Sequence, residues 1–266
     1  CAASAPKQAR KAPPASVGRS LRFTMLGQQL VVVGDAHLGA CPPDVEEAFL
    51  EFLATAHQRG DCLLLNGDVF DFWMGWKRVI PRHQIRAVAA LAEVAKRMPT
   101  LMTGGNHDRW GGTFWEQELK IRFDPLRLAF DVGDRRALAI HGDGITERST
   151  WARVMFHVTR QPLAIWAFKK MHPDFAFRVV DRMVSNWGSE HIDPSVFDRA
   201  ADRQQAWAEA ELGRDPGLGF VIMGHTHRPR MVEATPGRWY VNPGAWLDGL
   251  RYGVVTAGGA ELKAFR

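Results

Sequence analysis

The sequence predicts an α/β fold of stacked layers, in which strands alternate with helices and the strands are largely parallel. Short apolar runs recur along the chain, and each stops at a cluster of Gly, His, Asp or Asn. This pattern is typical of buried strands that deliver polar side chains at their carboxyl ends. Segments with helical spacing follow the first runs. A chain of 266 residues, 46% of them hydrophobic, can bury one sizeable core.

The first unit of this pattern begins with the apolar run at residues 30–33, which ends at Asp35 and His37. The run predicts a short buried strand with two polar side chains at its end. After two prolines, Asp44 and Glu47 match the spacing of a capping box. Apolar residues at helical spacing follow them and predict the first helix.

The later units repeat this order. Residues 83–97 predict an amphipathic helix closed by Pro99, and residues 235–237, Thr-Pro-Gly, signal a hairpin near the end of the chain. The predicted strands that end in polar clusters lie at residues 30–33, 62–65, 101–102, 137–140 and 220–223.

The stretch from residue 146 to about 212 interrupts this alternation. It predicts helices that break at Pro162, Pro173 and Pro194, because proline removes a backbone donor and clashes with the preceding turn. We therefore expect a helical insertion between two strands of a sheet.

The remaining sequence features limit the classes of function. Residues 1–20, rich in Ala, Pro, Lys and Ser, are predicted to be a disordered lead-in to one domain at 21–266. The net charge of +5 favours phosphates, nucleic acid or acidic membrane surfaces as partners, without choosing among them. No apolar run approaches the roughly 18 residues that span a bilayer. Three scattered cysteines argue against a disulfide framework and suit a reducing cytosol.

The polar clusters at the strand ends offer carboxylate, amide and imidazole groups. Because the carboxyl ends of strands are where open α/β sheets build their sites, these groups can converge in space. Such a mixture suits Mn, Fe or Zn, and the absence of cysteine argues against a purely structural zinc site. Each motif alone fits an ordinary turn, whereas their joint occurrence after apolar runs is a strong signal. The candidate ligands are Asp35, His37, Asp68, Asn106, His141, His225 and His227.

The order of these motifs resembles the calcineurin-like metallophosphoesterase family, whose pattern is D-x-H, G-D-x-x-D, G-N-H-[DE], H and G-H-x-H. The run Asn-Pro-Gly-Ala at 242–245 also resembles the turn that follows the last histidine in that family. The resemblance implies a four-layer αββα sandwich of two sheets flanked by helices, with a helical lid insertion. The motifs stand at residues 35–37, 67–71, 105–108, 141 and 224–227.

The resemblance also implies a centre of two divalent metal ions, with Mn as the expected metal and Fe or Zn as alternatives. Asp68 is implied to bridge the two ions. The first ion is implied to be held by Asp35, His37 and His227. The second is implied to be held by Asn106, His141 and His225.

Four further residues receive roles from the same resemblance. His107 is implied to stabilise the phosphoryl charge or to protonate the leaving oxygen, with Asp108 orienting its imidazole. The alternative for Asp108 is a carboxylate that caps a loop. Asp71 and Asp143 are candidates for hydrogen bonds to ligand histidines, and the same alternative applies to them.

The insertion combines apolar residues at helical spacing with an excess of basic residues. This combination fits an interfacial element that handles lipid, or a helical cap whose apolar face packs on the domain. The stretches at 66–75, 141–143 and 224–229 resemble the UDP-2,3-diacylglucosamine hydrolase subfamily, which cleaves the pyrophosphate of a diacylated UDP-sugar and releases UMP in lipid A biosynthesis.

This second resemblance implies that residues 146–190 form a lid over acyl chains. The lysine-rich stretch of the subfamily is not recognisable around residues 184–192, so arginines of the lid are expected in its place. Aromatic candidates for the acyl chamber are Trp166, Phe168 and Phe175. Other candidates for substrate contacts are Asn106, Arg148, Arg178 and Arg182.

The expected protein is thus a cytoplasmic enzyme, peripheral to the inner membrane, with an acylated UDP-sugar as substrate. The sequence does not predict its oligomeric state. One alternative is a phosphodiesterase acting on nucleotides, nucleic acid or another phospholipid. The aromatic residues of the insertion cluster with aliphatics and do not interleave with basic residues as a stacking platform would, so no specific nucleic acid is expected. A non-catalytic scaffold is the other alternative, although every expected metal ligand is present.

Overall fold

The computed structural model describes residues 25–146, 150–186 and 194–266. The strands in these residues are β1 (Met25–Gly27), β2 (Gln29–Val33), β3 (Cys62–Asn66), β4 (Thr100–Thr103), β5 (Arg122–Asp124), β6 (Arg127–Val132), β7 (Arg135–Ile140), β8 (Leu218–Ile222), β9 (Arg230–Thr235), β10 (Arg238–Asn242), β11 (Arg251–Thr256) and β12 (Gly259–Ala264). The helices are α1 (Pro43–Thr55), α2 (Ile85–Arg97), α3 (Phe114–Leu119), α4 (Thr150–Val158), α5 (Pro162–Lys169), α6 (Pro173–Asn186) and α7 (Pro194–Arg214).

The strands form two six-stranded sheets. The first sheet has the order β12-β11-β2-β3-β4-β5, and β2 to β5 run parallel within it. The second has the order β1-β6-β7-β8-β10-β9. The prediction of largely parallel strands holds for β2 to β5, but antiparallel pairs such as β6–β7, β9–β10 and β11–β12 make both sheets mixed.

The two sheets pack face to face, and helices cover their outer faces. Val32 of β2 packs with Phe220 of β8 in the core between the sheets. The next residue, Val33, belongs to the outer core with Phe52 of α1. Leu212 of α7 packs on the outer face of the second sheet. Both faces of β2 are therefore buried, which explains its uninterrupted apolar run and confirms the four-layer αββα architecture.

The first helix begins differently from the prediction. Its N-cap is Pro42 and its first residue is Pro43, and no side chain caps it. The predicted capping box is wrong, because Asp44 already lies in the first helical turn, where a carboxylate favours the helix dipole. Glu47 instead forms an ion pair with Arg86 at the start of α2.

Helices α4 to α7 occupy the chain between β7 and β8. Helices α5, α6 and α7 begin at Pro162, Pro173 and Pro194, the positions where the sequence predicts helix breaks. Proline suits a first helical position because the amide it lacks has no partner there. None of the helices in the three described stretches is long and apolar enough to cross a membrane. Residues 1–20 lie outside the described residues.

Candidate metal centre

The loops after β2, β3, β4, β7 and β8 meet at one edge of the sandwich. Backbone hydrogen bonds continue between the loops beyond the ends of the strands. The amide of Asp35 donates to the carbonyl oxygen of Gly67 at 3.0 Å, and the amide of Gly224 donates to that of His141 at 2.9 Å. These contacts bring together side chains that are far apart in the sequence.

Glycines precede the candidate ligands because neighbouring ligands fill the space that a side chain would need. A Cβ atom on Gly105 would lie 2.0 Å from Asp68 Oδ1, and one on Gly67, whose φ is +80°, would lie 2.5 Å from His141 Nδ1. The glycines of the Gly-Asp and Gly-Asn motifs therefore permit close approach of the loops.

Five of the seven predicted ligands have left-handed backbone conformations, with φ between 48° and 70°. Such conformations are uncommon outside glycine and cost about 1–3 kcal/mol each. Asp and His adopt this conformation more often than most residues do, but the surrounding fold must still hold all five of them in it. The five are Asp35, His37, Asp68, His225 and His227.

The structure gathers the predicted ligands into two adjoining groups. In each group, one ligand atom per residue lies within 4.8 Å of the others. The first group is Asp35, His37 and His227. The second is Asp68, His141 and His225. The first group has the same members as the first set implied by the resemblance. The second group contains His141 and His225 of the second implied set, together with Asp68.

Contacts of their Nδ1 atoms orient the imidazoles of His141 and His227. His141 Nδ1 lies 3.0 Å from the carbonyl oxygen of Asn66, and His227 Nδ1 lies 3.0 Å from Asp248 Oδ2. Their Nε2 atoms face the buried carboxylates, at 3.0 Å from Asp68 Oδ2 and 3.6 Å from Asp35 Oδ1. A second hydrogen bond of this kind is what fixes metal-ligating histidines.

Two buried carboxylates define the charge of the centre. Burial by itself would raise the pKa of Asp68, but His141, His107 and His37 hold it well below its usual range. Burial would lower the pKa of His141, yet Asp68 and Asp35 raise it to about 10. Buried, ionised carboxylates need positive charge close by. Divalent cations can supply that charge.

Unused polar atoms also fit a metal. Asn106 Oδ1 and His141 Nε2 are buried and make no well-formed hydrogen bond, although Nε2 is near Asp68. Carboxylate, amide and imidazole donors without thiolate suit Mn, Fe or Zn. The residues present therefore fit a centre of two divalent ions.

The two predicted catalytic residues have different surroundings. His107 is partly buried, and its Nδ1 lies 2.6 Å from the carbonyl oxygen of Asp71. Asp108 is fully buried and accepts hydrogen bonds from the amides of Val69 and Gly105, both at 2.8 Å. Its carboxylate therefore caps the loops, as in the alternative interpretation, and the Asp71 carbonyl takes the orienting position beside His107.

A model of the calcineurin-like phosphoesterase family matches residues 29–229. The chain belongs to the calcineurin-like phosphoesterases. Members of this family are metal-dependent hydrolases, and the ligand groups described above agree with that chemistry.

Individual relatives extend this result. Proteins named UDP-2,3-diacylglucosamine hydrolase from Salmonella paratyphi B and Salmonella typhi are each 27% identical over 236 residues, which is 88% of this chain and 97% of theirs. A solved structure of Yfce, a phosphoesterase from E. coli, is 15% identical, with a TM-score of 0.43 over 90% of this chain and 93% of that one.

An apolar cavity of about 370 Å³ opens onto the metal centre of this phosphoesterase. Asn106, His107 and His225 line its inner end. Its walls come mainly from α4, α5 and α6 and from the loops after β3 and β4. The apolar wall residues are Phe72, Met74, Trp110, Phe156, Val158, Ala164, Ile165, Phe168, Val180 and Met183.

The substrate candidates of the insertion separate in the structure. Phe168 lines the cavity, but Trp166 and Phe175 are 59% and 56% exposed and do not line it. Trp166 lies on the opposite face of α5 from Ile165 and Phe168, because residues three apart share a helix face and adjacent ones do not.

The predicted arginines do not contribute to this cavity either. Arg178 and Arg182 are exposed on α6 and do not line the cavity, and Arg148 lies outside the described residues. Arg160, which is not among the predicted site residues, is the arginine that lines it. Its position just before Pro162, at the end of a predicted helix, is the only local signal for it.

A second cavity of about 620 Å³ adjoins the first. Asp71 and Phe72 line both cavities and separate them. The second cavity is more polar, with side chains from the segment before α2 and from α6. These include Arg82, His83, Gln84, Asp174 and Asp181.

Proposed function

We propose that this phosphoesterase hydrolyses the pyrophosphate bond of UDP-2,3-diacylglucosamine, giving UMP and 2,3-diacylglucosamine 1-phosphate for lipid A biosynthesis. The observation that carries the proposal is the apolar cavity whose inner end is formed by Asn106, His107 and His225. A phosphodiester site without a lipid substrate has no need of such a cavity beside its ligands. The names of the relatives point to the same substrate.

The cavity matches acyl chains in chemistry and in size. Its volume of about 370 Å³ lies in the range of roughly 300–1,000 Å³ that is common for ligand sites. Each methylene group transferred from water to such a wall contributes about 0.8 kcal/mol. We infer that α4, α5 and α6 form a lid that holds at least one acyl chain against Phe72 and Phe168 while the pyrophosphate lies at the metal centre.

The metal ions would be held by the two groups described above, with Asp68 facing both and Asn106 joining the second. Bound divalent ions supply Lewis acidity and lower the pKa of a coordinated water. Mn²⁺ is the expected ion, with Fe²⁺ or Zn²⁺ as alternatives that the donor set also accepts.

His107 acts on the leaving side of the reaction. Because its Nδ1 contacts the Asp71 carbonyl oxygen, the protonated ring can donate from Nε2 to the oxygen that departs. His107 also lines the cavity, between the metal centre and the apolar wall. We expect the bond to the acylated half of the substrate to break at this place.

The outer face of the insertion suits a membrane surface. Val154, Leu163, Trp166 and Phe175 are exposed there. Arginine and lysine residues accompany them on α4, α5 and α6. An apolar face flanked by basic residues binds anionic bilayers. We infer that this face contacts the inner membrane from the cytoplasmic side, where an acylated substrate resides.

The test is release of UMP from UDP-2,3-diacylglucosamine by the purified protein with added Mn²⁺. The Asp68→Asn variant serves as the blank. Rapid metal-dependent release is the expected result. No release, together with clear hydrolysis of bis(p-nitrophenyl) phosphate, would overturn the lipid substrate and leave a phosphodiesterase of different specificity.

A further inference from the structure

Two arginines share one carboxylate between the metal centre and the insertion. Asp143 Oδ2 accepts hydrogen bonds from Arg160 Nη2 at 2.7 Å and from Arg109. The side chains of Asp143 and Arg109 are only 7% and 4% exposed, and that of Arg160 is 18% exposed. Arg109 lies in the same loop as Asn106 and His107, whereas Arg160 lies just after α4. The carboxylate therefore fixes an arginine of the insertion to the catalytic loop.

Other contacts hold Arg160 in one position. Its Nη1 donates to the carbonyl oxygen of Phe156 at 2.7 Å, and its guanidinium lies 3.2 Å from the centroid of the Phe156 ring. Thr159, the residue before Arg160, is also held: its carbonyl oxygen accepts a hydrogen bond from Trp110 Nε1 at 2.8 Å. A guanidinium fixed in this way is preorganised for an anion, since little side-chain freedom is lost on binding.

Arg160 lies beside the candidate metal centre. It lines the apolar cavity together with Asn106, His107 and His225. Among the described residues that line this cavity, it is the one arginine or lysine. The planar guanidinium carries five N–H donors, so it can hold Asp143 and a phosphate oxygen at the same time.

We propose that Arg160 binds the second phosphate of a pyrophosphate substrate, the one that departs with the sugar, and that Asp143 and Arg109 position it. In hydrolysis, the oxygen of water bonds to the attacked phosphorus and the bond to the bridging oxygen breaks. The electron pair leaves with the sugar phosphate, which gains negative charge beside Arg160. The protons of the water pass to solvent or, through His107, to the leaving oxygen. This inference rests on the proposed function only in assigning the pyrophosphate class of substrate.

The experiment compares substrates with one phosphorus and with two. The Arg160→Gln variant, loaded with Mn²⁺, is assayed on UDP-2,3-diacylglucosamine and on bis(p-nitrophenyl) phosphate. We expect kcat/KM to fall about 10- to 100-fold on the pyrophosphate, as for loss of a hydrogen bond to a charged group, and less than about threefold on the single phosphodiester. The Arg160→Lys variant should recover part of the loss. The matched control is Arg153→Gln, an exposed arginine of α4.

A competition assay keeps the inference separate from the identity of the lipid. UDP-N-acetylglucosamine, which has two phosphates, and UMP, which has one, are used as inhibitors of bis(p-nitrophenyl) phosphate hydrolysis. The Arg160→Gln variant should weaken inhibition by the two-phosphate compound about tenfold and leave that by UMP unchanged. Equal changes for both inhibitors, or for both substrates, would show that Arg160 only supports the structure. Unchanged values throughout would show that it contacts no phosphate.

Discussion

His107 Nδ1 lies 2.6 Å from the backbone carbonyl oxygen of Asp71, and the amide of His107 donates to Asp68 Oδ1 at 2.8 Å. His107 is thus held to the loop after β3 at two points, through its ring at Asp71 and through its amide at the carboxylate of Asp68. The contact to a carbonyl places a proton on Nδ1 and leaves Nε2 for the substrate. The Asp71 carboxylate adds to this contact, with Oδ1 3.6 Å from the same Nδ1 atom.

Replacing His107 by alanine should lower kcat by about 10²- to 10⁴-fold, the usual range for loss of a general acid. Turnover of diphenyl phosphate with Mn²⁺ measures the change, because phenolate, unlike p-nitrophenolate, leaves poorly without a proton. Metal content should stay at the wild-type value, because the resemblance gives His107 no ligand role, although His107 also forms a third group of possible donors with His37 and Asp71. A loss of metal in parallel with activity would show instead that His107 is a ligand.

Replacing Asp68 by asparagine should abolish turnover and lower the metal content, because Asp68 lies with His141 and His225 in the second group and we propose that its carboxylate serves both ions. Elemental analysis and phosphodiester hydrolysis measure the two effects. The control is Asp134→Asn, which changes an exposed carboxylate on a turn. Near-normal activity of Asp68→Asn, with the usual amount of metal, would contradict the two-ion centre.

Replacing Phe168 by alanine should raise KM for the diacylated substrate about tenfold or more, because the ring lines the apolar cavity. Inhibition by UDP-N-acetylglucosamine, which lacks acyl chains, should be unchanged. Trp166→Ala on the same helix is the matched control, since Trp166 points away from the cavity. With the diacylated substrate in detergent micelles, the Trp166→Ala variant should have the same KM as the wild type. A similar rise in KM for both variants would argue against the cavity as the acyl site.

Replacing Gln204 by leucine should lower the free energy of unfolding by about 2–4 kcal/mol. Gln204 of α7 is fully buried; its Nε2 donates to the carbonyl oxygen of Gly224, and its Oε1 accepts from Tyr240 and Asn242. Loss of the amide leaves several buried groups unsatisfied, at about 1–3 kcal/mol each. Denaturant unfolding measures the change.

The neighbouring Gln205→Leu is the control for that experiment. Gln205 is half-buried and bonds to Glu209 and Arg230, which water can also satisfy. Its replacement should change the free energy of unfolding by less than about 1 kcal/mol. Equal destabilisation by both variants would mean that the buried network beneath Gly224 contributes little.

The parts of the fold that local sequence determines were predictable. Prolines mark the beginnings of α5, α6 and α7, and the apolar runs of β2, β3 and β8 end at the predicted ligands. The direction of side chains on the insertion was not predictable in the same way. Periodicity identifies residues that share a helix face, but only packing shows that the face of Phe168, and not that of Trp166, points inward.

Contacts between distant segments were also missed. Asp248, which orients His227, and Arg160, which meets Asp143, have no local pattern that marks them. Asp108 fits the family motif, yet its carboxylate accepts hydrogen bonds from two backbone amides that belong to separate loops. Such roles depend on which loops are neighbours in the folded protein, and no local pattern in a single sequence shows this.

The left-handed backbone of five ligands has a further consequence for how the protein takes up its ions. The unfavourable conformations are imposed by folding, so the ligand loops are already shaped before an ion arrives. Ion binding should then resemble a simple exchange of hydration water for protein donors. Calorimetric titration of the chelated protein with Mn²⁺ should lack the large negative heat-capacity change that accompanies coupled folding. Far-UV circular dichroism should stay constant through the titration, and repeated cycles of chelation and reloading should leave the protein fully competent.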